Sequence, residues 1–186
     1  MLPPKRAKIY AVLAGVLLVF PSLMRAQTQI EPKTSESVRE FVQNFYDWYA
    51  SGVLKATRKG REFKWKTRAS DLDPALLRAL NEDEDAQAKV PEEVVGMDFD
   101  PFLSSQDPCV PYKVRDITQK GAHYFAEIDA ECKDVLAERP TVTAEVAKKN
   151  GRWVFLNFHY PDPKPSGSDL LNILKELRDS RKQPSK

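Results

Sequence analysis

The sequence predicts an α+β fold, with helices first and a four-stranded antiparallel sheet after them. Three features carry this. Val38, Phe41, Val42, Phe45, Trp48 and Tyr49 recur at helical spacing and make one apolar stripe. After position 109 the apolar period drops to two residues in four successive stretches, the pattern of strands with one face buried. Asn150-Gly151 then joins the last two stretches with residues that both tolerate positive φ, as a tight hairpin requires. Helices followed by a meander means an α+β layer pair, a long N-terminal helix packed on a curved sheet, with a C-terminal helix after it.

Taken in order, the chain opens with basic Lys5, Arg6 and Lys8, then an uncharged run from Ile9 to Phe20, then Pro21 and a small residue at Ala26. That is the plan of a secretory signal peptide over residues 1–26. The run is shorter than the ~20 apolar residues of a membrane span. Met24 rather than a small residue stands two before Ala26, which leaves an uncleaved anchor as the alternative and the only membrane association expected. The segment holds no Cys, so a lipid-modified cysteine is excluded. Residues 27–35 are polar, contain Pro32 and read as a flexible lead. Ser37 with Glu40 fits a capping box that starts the first helix, and Gly52 stands near its stop.

Residues 55–68 are basic, with Phe63 and Trp65 interleaved. Asp73-Pro74 enters a short second helix whose buried side is Leu72, Leu76, Leu77 and Leu80, ended by the acidic run from Glu82 to Asp85. A loop spans Val90 to Asp107. Strands follow over Val110, Tyr112 and Val114; over Tyr124, Ala126, Ile128 and Ala130; over Val142, Ala144 and Val146; and from Trp153 to Tyr160. A three-residue turn ending in Gly121 pairs Val114 with Ala126 and Tyr112 with Ile128, keeping apolar residues on one face. The last strand sets Trp153, Phe155 and Asn157 against Val154, Leu156 and Phe158, so it is expected to be central or covered by a helix. Ser168 caps a final helix through Leu170, Ile173, Leu174 and Leu177, giving a domain over 36–178 and a disordered tail over 179–186.

Charge and cysteine content bound the function. The chain carries 29 basic and 27 acidic residues, a net charge of +2. Cleavage after Ala26 removes four basic residues and no acid and turns that to −2, which withdraws any whole-protein attraction to nucleic acid. An exported chain is periplasmic or secreted, and there its two cysteines, Cys109 and Cys132, are more often a disulfide than a site, with free buried thiols the alternative. Two Cys and two distant His lack zinc-ligand spacing, and no metal or other cofactor is expected.

The order of elements resembles the nuclear-transport-factor-2-like cone fold. More narrowly, Phe45-Tyr46-Asp47-Trp48-Tyr49, Asp100-Pro101-Phe102-Leu103 with Gln106-Asp107, and Trp153-Val154-Phe155 resemble a family of exported bacterial proteins known as domain of unknown function 3828. The resemblance spans about residues 36–178. It implies a fold and an envelope location and no particular reaction, since the wider superfamily holds isomerases, dehydratases and binding modules. Some relatives are thought to act as immunity proteins against toxins delivered between bacteria.

Four groups are candidate sites. On the first helix, Tyr46, Asp47, Trp48 and Tyr49 stand where the resemblance implies that cone-fold enzymes place a pocket. Asp47, with Tyr112 or His159, is the candidate for proton transfer. The competing reading makes the aromatics core and leaves Asp47 on the solvent face. The loop 97–107, with Asp100, Phe102, Gln106 and Asp107, is a candidate partner or ligand surface. Its carboxylates lack the spacing and glycine of a calcium loop. The basic stretch 55–68 reads as a solvated surface that downstream acids neutralise. His123 and His159 read as ordinary strand-surface residues with no triad. The leading expectation is a non-enzymatic module binding an unknown protein or small ligand. A proton-transfer enzyme and an immunity protein against a delivered toxin are the alternatives.

Overall fold

The computed structural model describes residues 32–106, 110–131, 140–161 and 169–182. The signal peptide, residues 27–31 of the lead, Asp107, the Cys109–Cys132 pair, Ser168 and residues 183–186 lie outside the described residues. Among these residues, three α-helices and four strands are arranged as α1 (Pro32–Thr57), a 3₁₀ segment (Trp65–Asp71), α2 (Pro74–Lys89), β1 (Tyr112–Lys120), β2 (His123–Ala130), β3 (Val142–Lys149), β4 (Arg152–His159) and α3 (Leu170–Ser180). The strands form one antiparallel sheet in the order β1-β2-β3-β4. The α+β class and the meander are as the sequence predicts. Among the described residues no helix is long and apolar enough to cross a membrane.

Helix α1 starts earlier and ends later than its signals. It begins at Pro32, inside the expected lead, so Ser37 and Glu40 sit within it and do not cap it. The Ser37 hydroxyl instead accepts a bond from the Trp153 indole, tying α1 to β4. Gly52 does not stop the helix. Its Cα faces the Phe63 ring so closely that a Cβ would lie 2.2 Å from Cε2. That glycine makes room for the chain folding back beneath the helix.

Val38, Val42, Phe45, Tyr46 and Tyr49 of α1 are buried against the sheet. Facing them are Tyr112, Val114, Ala126, Ile128, Val142, Ala144, Val146, Phe155 and Phe158. Phe155 and Phe158 stack at 5.2 Å and Phe45 meets Phe155 at 4.7 Å. Each such ring, fully withdrawn from water, contributes about 1.5–3 kcal/mol.

The sheet corrects two register expectations. The β1–β2 turn is Gly121-Ala122, flanked by Lys120 opposite His123, with Gly121 at φ 62°. The ladder slips between Val114 and Asp116, so Val114 pairs with Ile128 and Tyr112 with Ala130. The slip restores Ile117 to the buried face, since an extra residue in one strand shifts its alternation by one. Val110 lies before the strand and is exposed. On the other side, β3 and β4 slip between Glu145 and Val146. That bulge puts Phe158 on the same face as Phe155 and sends Asn157 to the opposite one, alongside Glu145. The Asn150-Gly151 hairpin forms as expected, with φ of 50° and 79° and Lys149 opposite Arg152.

β4 is an edge strand, not a central one. Leu72 bridges to Phe155, and the Asp73 amide donates to the Phe155 carbonyl at 2.8 Å. Asp169 bridges to His159, and both α2 and α3 pack against the strand. These segments occupy the open backbone edge, so the apolar residues on both faces of β4 are accounted for without a further strand.

Asp73 caps α2 with Pro74 at its first position, as predicted, its side chain accepting from the Ala75 amide. The acidic run does not end α2, which continues to Lys89. Asp83 turns inward and pairs at 2.6 Å with Arg181, just past α3. The same Arg181 removes residues 179–182 from the expected disordered tail. Helix α3 is capped by Asp169, whose carboxylate accepts from the Asn172 amide.

Candidate functional site

The side chains that α1 turns toward the sheet are buried. Tyr46 is buried, donates to the Phe102 carbonyl at 2.9 Å and stacks on Tyr112 at 5.8 Å. Tyr112 donates to the Leu103 carbonyl at 3.1 Å. Burial raises both phenols well above their ordinary value. Trp48 is half-buried among Phe45, Tyr49 and Phe63, and the Arg68 guanidinium lies 5.1 Å from its ring centre. Asp47 is exposed and accepts a bond from Gln43 at 2.8 Å. The proton-transfer candidates are therefore not brought together. Asp47 faces solvent, Tyr112 is committed to a backbone carbonyl, and His159 stands on the other face of the sheet.

The loop 97–106 is built around Asp100. One carboxylate oxygen accepts the Phe102 and Leu103 amides at 2.9 and 3.0 Å, and the other accepts the Tyr49 hydroxyl at 2.8 Å. Burial outweighs these bonds and raises the carboxyl above its ordinary range. Asp100 also pairs with Ser105 through the backbone, and the Gln106 amide donates to the Asp98 carbonyl. The Tyr160 hydroxyl donates to the Pro101 carbonyl, and Phe102 is fully buried. Asp100 and Phe102 thus hold the loop's shape and pin it to α1 and to the residue after β4. Neither presents a free group to a ligand.

What the loop does present is a groove. One cleft of about 480 Å³ lies between it, α2 and the 3₁₀ segment, lined by Tyr49, Trp65, Met97, Phe99 and Phe102 on its apolar side. A second, of about 650 Å³, runs along the loop and reaches Val53, Val94, Asp98 and Gln106. The two share Gln87, Met97 and Phe99, so they are adjoining parts of the groove. Gln87 shapes it, its carbonyl oxygen accepting the Val95 and Gly96 amides and its NH₂ donating to the Glu93 carbonyl. Asp83 fixes the same segment by accepting the Met97 amide at 2.9 Å. A third cleft, of about 790 Å³, opens at the α2 N-terminus beside Lys149, Asn150 and Arg152.

The basic stretch is partly neutralised within the molecule, as expected. Glu84 accepts the Trp65 indole at 2.7 Å and pairs with Lys66, and Arg68 pairs with Asp71. Among the described residues no three His, Cys, Asp or Glu side chains are grouped to hold a metal ion.

Two features were missed in the sequence. Trp65, Met97 and Phe99 line the groove although none repeats with a period. Their only signal is an aromatic or methionine left in a polar segment. The second is a bridge across the outer sheet face. His123 and His159 contact the two oxygens of Glu145 at 2.6 and 3.0 Å, linking β2, β3 and β4. Pairing strands across Ala144–Phe158 and His123–Ala147 puts these residues side by side, which sequence separation hides.

No family model, no curated protein and no solved structure matches the chain.

Proposed function

We propose that this protein is an exported, non-enzymatic module of the nuclear-transport-factor-2-like type that binds a partner through the groove beside the 97–106 loop. The observation that carries the reading is the groove itself, two adjoining clefts that share Gln87, Met97 and Phe99, with half-buried aromatic side chains in the wall. Concave sites that set aromatic and other apolar walls beside convergent polar groups are where ligands dock. The Tyr46 and Tyr112 hydroxyls are committed to loop carbonyls, and the Asp100 carboxylate to loop amides and the Tyr49 hydroxyl, which supports binding over proton transfer. A general acid or base needs an atom free to meet the substrate. Export rests on the basic-then-apolar opening of the chain.

A peptide-array screen of the full mature chain against its Phe99→Ala variant tests the reading. Phe99 meets only Tyr160 edge-on among the described rings, so the variant should keep its near-ultraviolet circular dichroism. Peptides retained by the wild type and lost by the variant support the groove. An array with no hits, or with hits indifferent to the substitution, overturns it.

A further inference from the structure

The clefts differ in charge. Among the described residues, the two beside the loop are lined by Glu62, Asp83, Glu84, Asp85, Asp98 and Asp100, and by no lysine, arginine or histidine. The 790 Å³ cleft, which shares Asp85, mixes Arg78, Lys149 and Arg152 with its acids. Two of the groove's carboxylates are spent internally, Asp83 on Arg181 and Asp100 on Tyr49. Glu62, Asp85 and Asp98 are exposed and have no ion-pair partner among the described residues. One cation already approaches from the rim. The Lys66 ammonium pairs with Glu84 at 2.5 Å and lies 5.6 Å from the centre of the Trp65 ring, while Trp65 itself donates to the same glutamate. A carboxylate held beside an indole is a seat for an ammonium group, since the charge and the ring face attract it together. The chain thus displays, in its own half-exposed lysine, the chemistry the seat accepts.

We propose that the groove binds an extended polypeptide segment of a partner through its lysine side chains, with the Glu84–Trp65 seat and the Glu62 and Asp85 carboxylates receiving the ammonium groups. Charge complementarity selects the sign. The presence of two adjoining clefts, with Val94 75% exposed in the wall of the second, selects a chain with apolar residues between its lysines over a single small amine. Lys66 is then the internal competitor that the incoming lysine displaces. This assignment rests on the groove being the binding surface.

The test is fluorescence anisotropy of the full mature chain at low ionic strength with the labelled peptide Leu-Lys-Val-Lys-Leu. Its counterpart Leu-Glu-Val-Glu-Leu and unlabelled butylamine serve as the other arms. The lysine peptide should bind, weaken about five- to tenfold in a Glu62→Gln, Asp85→Asn double variant, and weaken further with added salt. Lys66→Met should tighten binding about threefold, and Lys64→Met, with the same change in net charge, should tighten it less. Equal binding of the glutamate peptide, lost in Phe99→Ala, would keep the groove and overturn the lysine assignment. Butylamine competing as well as the peptide would overturn the polypeptide. If no arm binds, or binding ignores both Phe99 and the carboxylates, the groove falls with it.

Discussion

Arg181→Met is the substitution that the fold should feel most directly. Arg181 and Asp83 are 19% and 6% exposed at their side chains. One guanidinium nitrogen donates to Asp83 at 2.6 Å and to the Val95 carbonyl at 2.9 Å. Among the described residues Asp83 otherwise accepts only the Met97 amide. Methionine keeps most of the aliphatic body and removes the charge, leaving a buried carboxylate with one backbone donor and an unpaired carbonyl. Removing one partner of a buried pair costs about 3–5 kcal/mol. The partial exposure of Arg181 lets water reach the site and argues for the lower end, about 3 kcal/mol. In a domain of this size that corresponds to roughly 6–12 °C in Tm. Urea titration at neutral pH measures it, and the Asp83→Asn, Arg181→Met double variant should recover part of the loss, because no charge is left stranded. A loss below about 1 kcal/mol with an unchanged denaturant slope would refute the claim that this pair ties α2, the 90–97 segment and the end of α3 together.

Three further outcomes are expected. Gly52→Ala, which in an open helix would stabilise, should destabilise by about 1–3 kcal/mol because the new methyl meets Phe63 at 2.2 Å; the added Phe63→Ala change should make it neutral, as thermal melts of the pair would show. Tyr46→Phe should cost about 1–2 kcal/mol in urea titration, since it leaves the Phe102 carbonyl buried without a donor. Asp100 carries a pH signature. Its folded carboxyl lies above the ordinary 3.8, so the folded form takes up its proton first and stability from this group falls as pH rises through the interval between 3.8 and the raised value. Asp100→Asn, whose oxygen still accepts the Phe102 and Leu103 amides, should remove that fall; parallel pH–stability curves for the two proteins would count against it.

Much of the architecture was legible because periodicity is a local property. The stripe from Val38 to Tyr49, the cap at Asp73-Pro74 and the Asn150-Gly151 hairpin each depend on neighbours a few residues apart. The failures share a different cause. Helix α2 runs through its acidic segment because Asp83 finds Arg181, 98 residues away. Helix α1 passes Gly52 because Phe63 needs the space. Both sheet registers depend on bulges that a strict period of two cannot express. Among the candidate residues, Tyr46, Asp100 and Phe102 do converge on the 97–106 loop, but as its supports, and the groove wall is made by Trp65, Met97 and Phe99.

The order of amino acids by itself determined the class of the fold, its helices and strands, and which side of each is apolar, since these follow from side-chain spacing along one element. Only the tertiary structure decided which polar atoms are spent and which remain free. Asp100, a candidate binding residue by sequence, is a strut, whereas the exposed Glu62 and Asp85 have no ion-pair partner among the described residues and stand beside an aromatic wall. The physical reason is that a carboxylate's availability is set by donors brought to it from distant parts of the chain, and no local pattern records them.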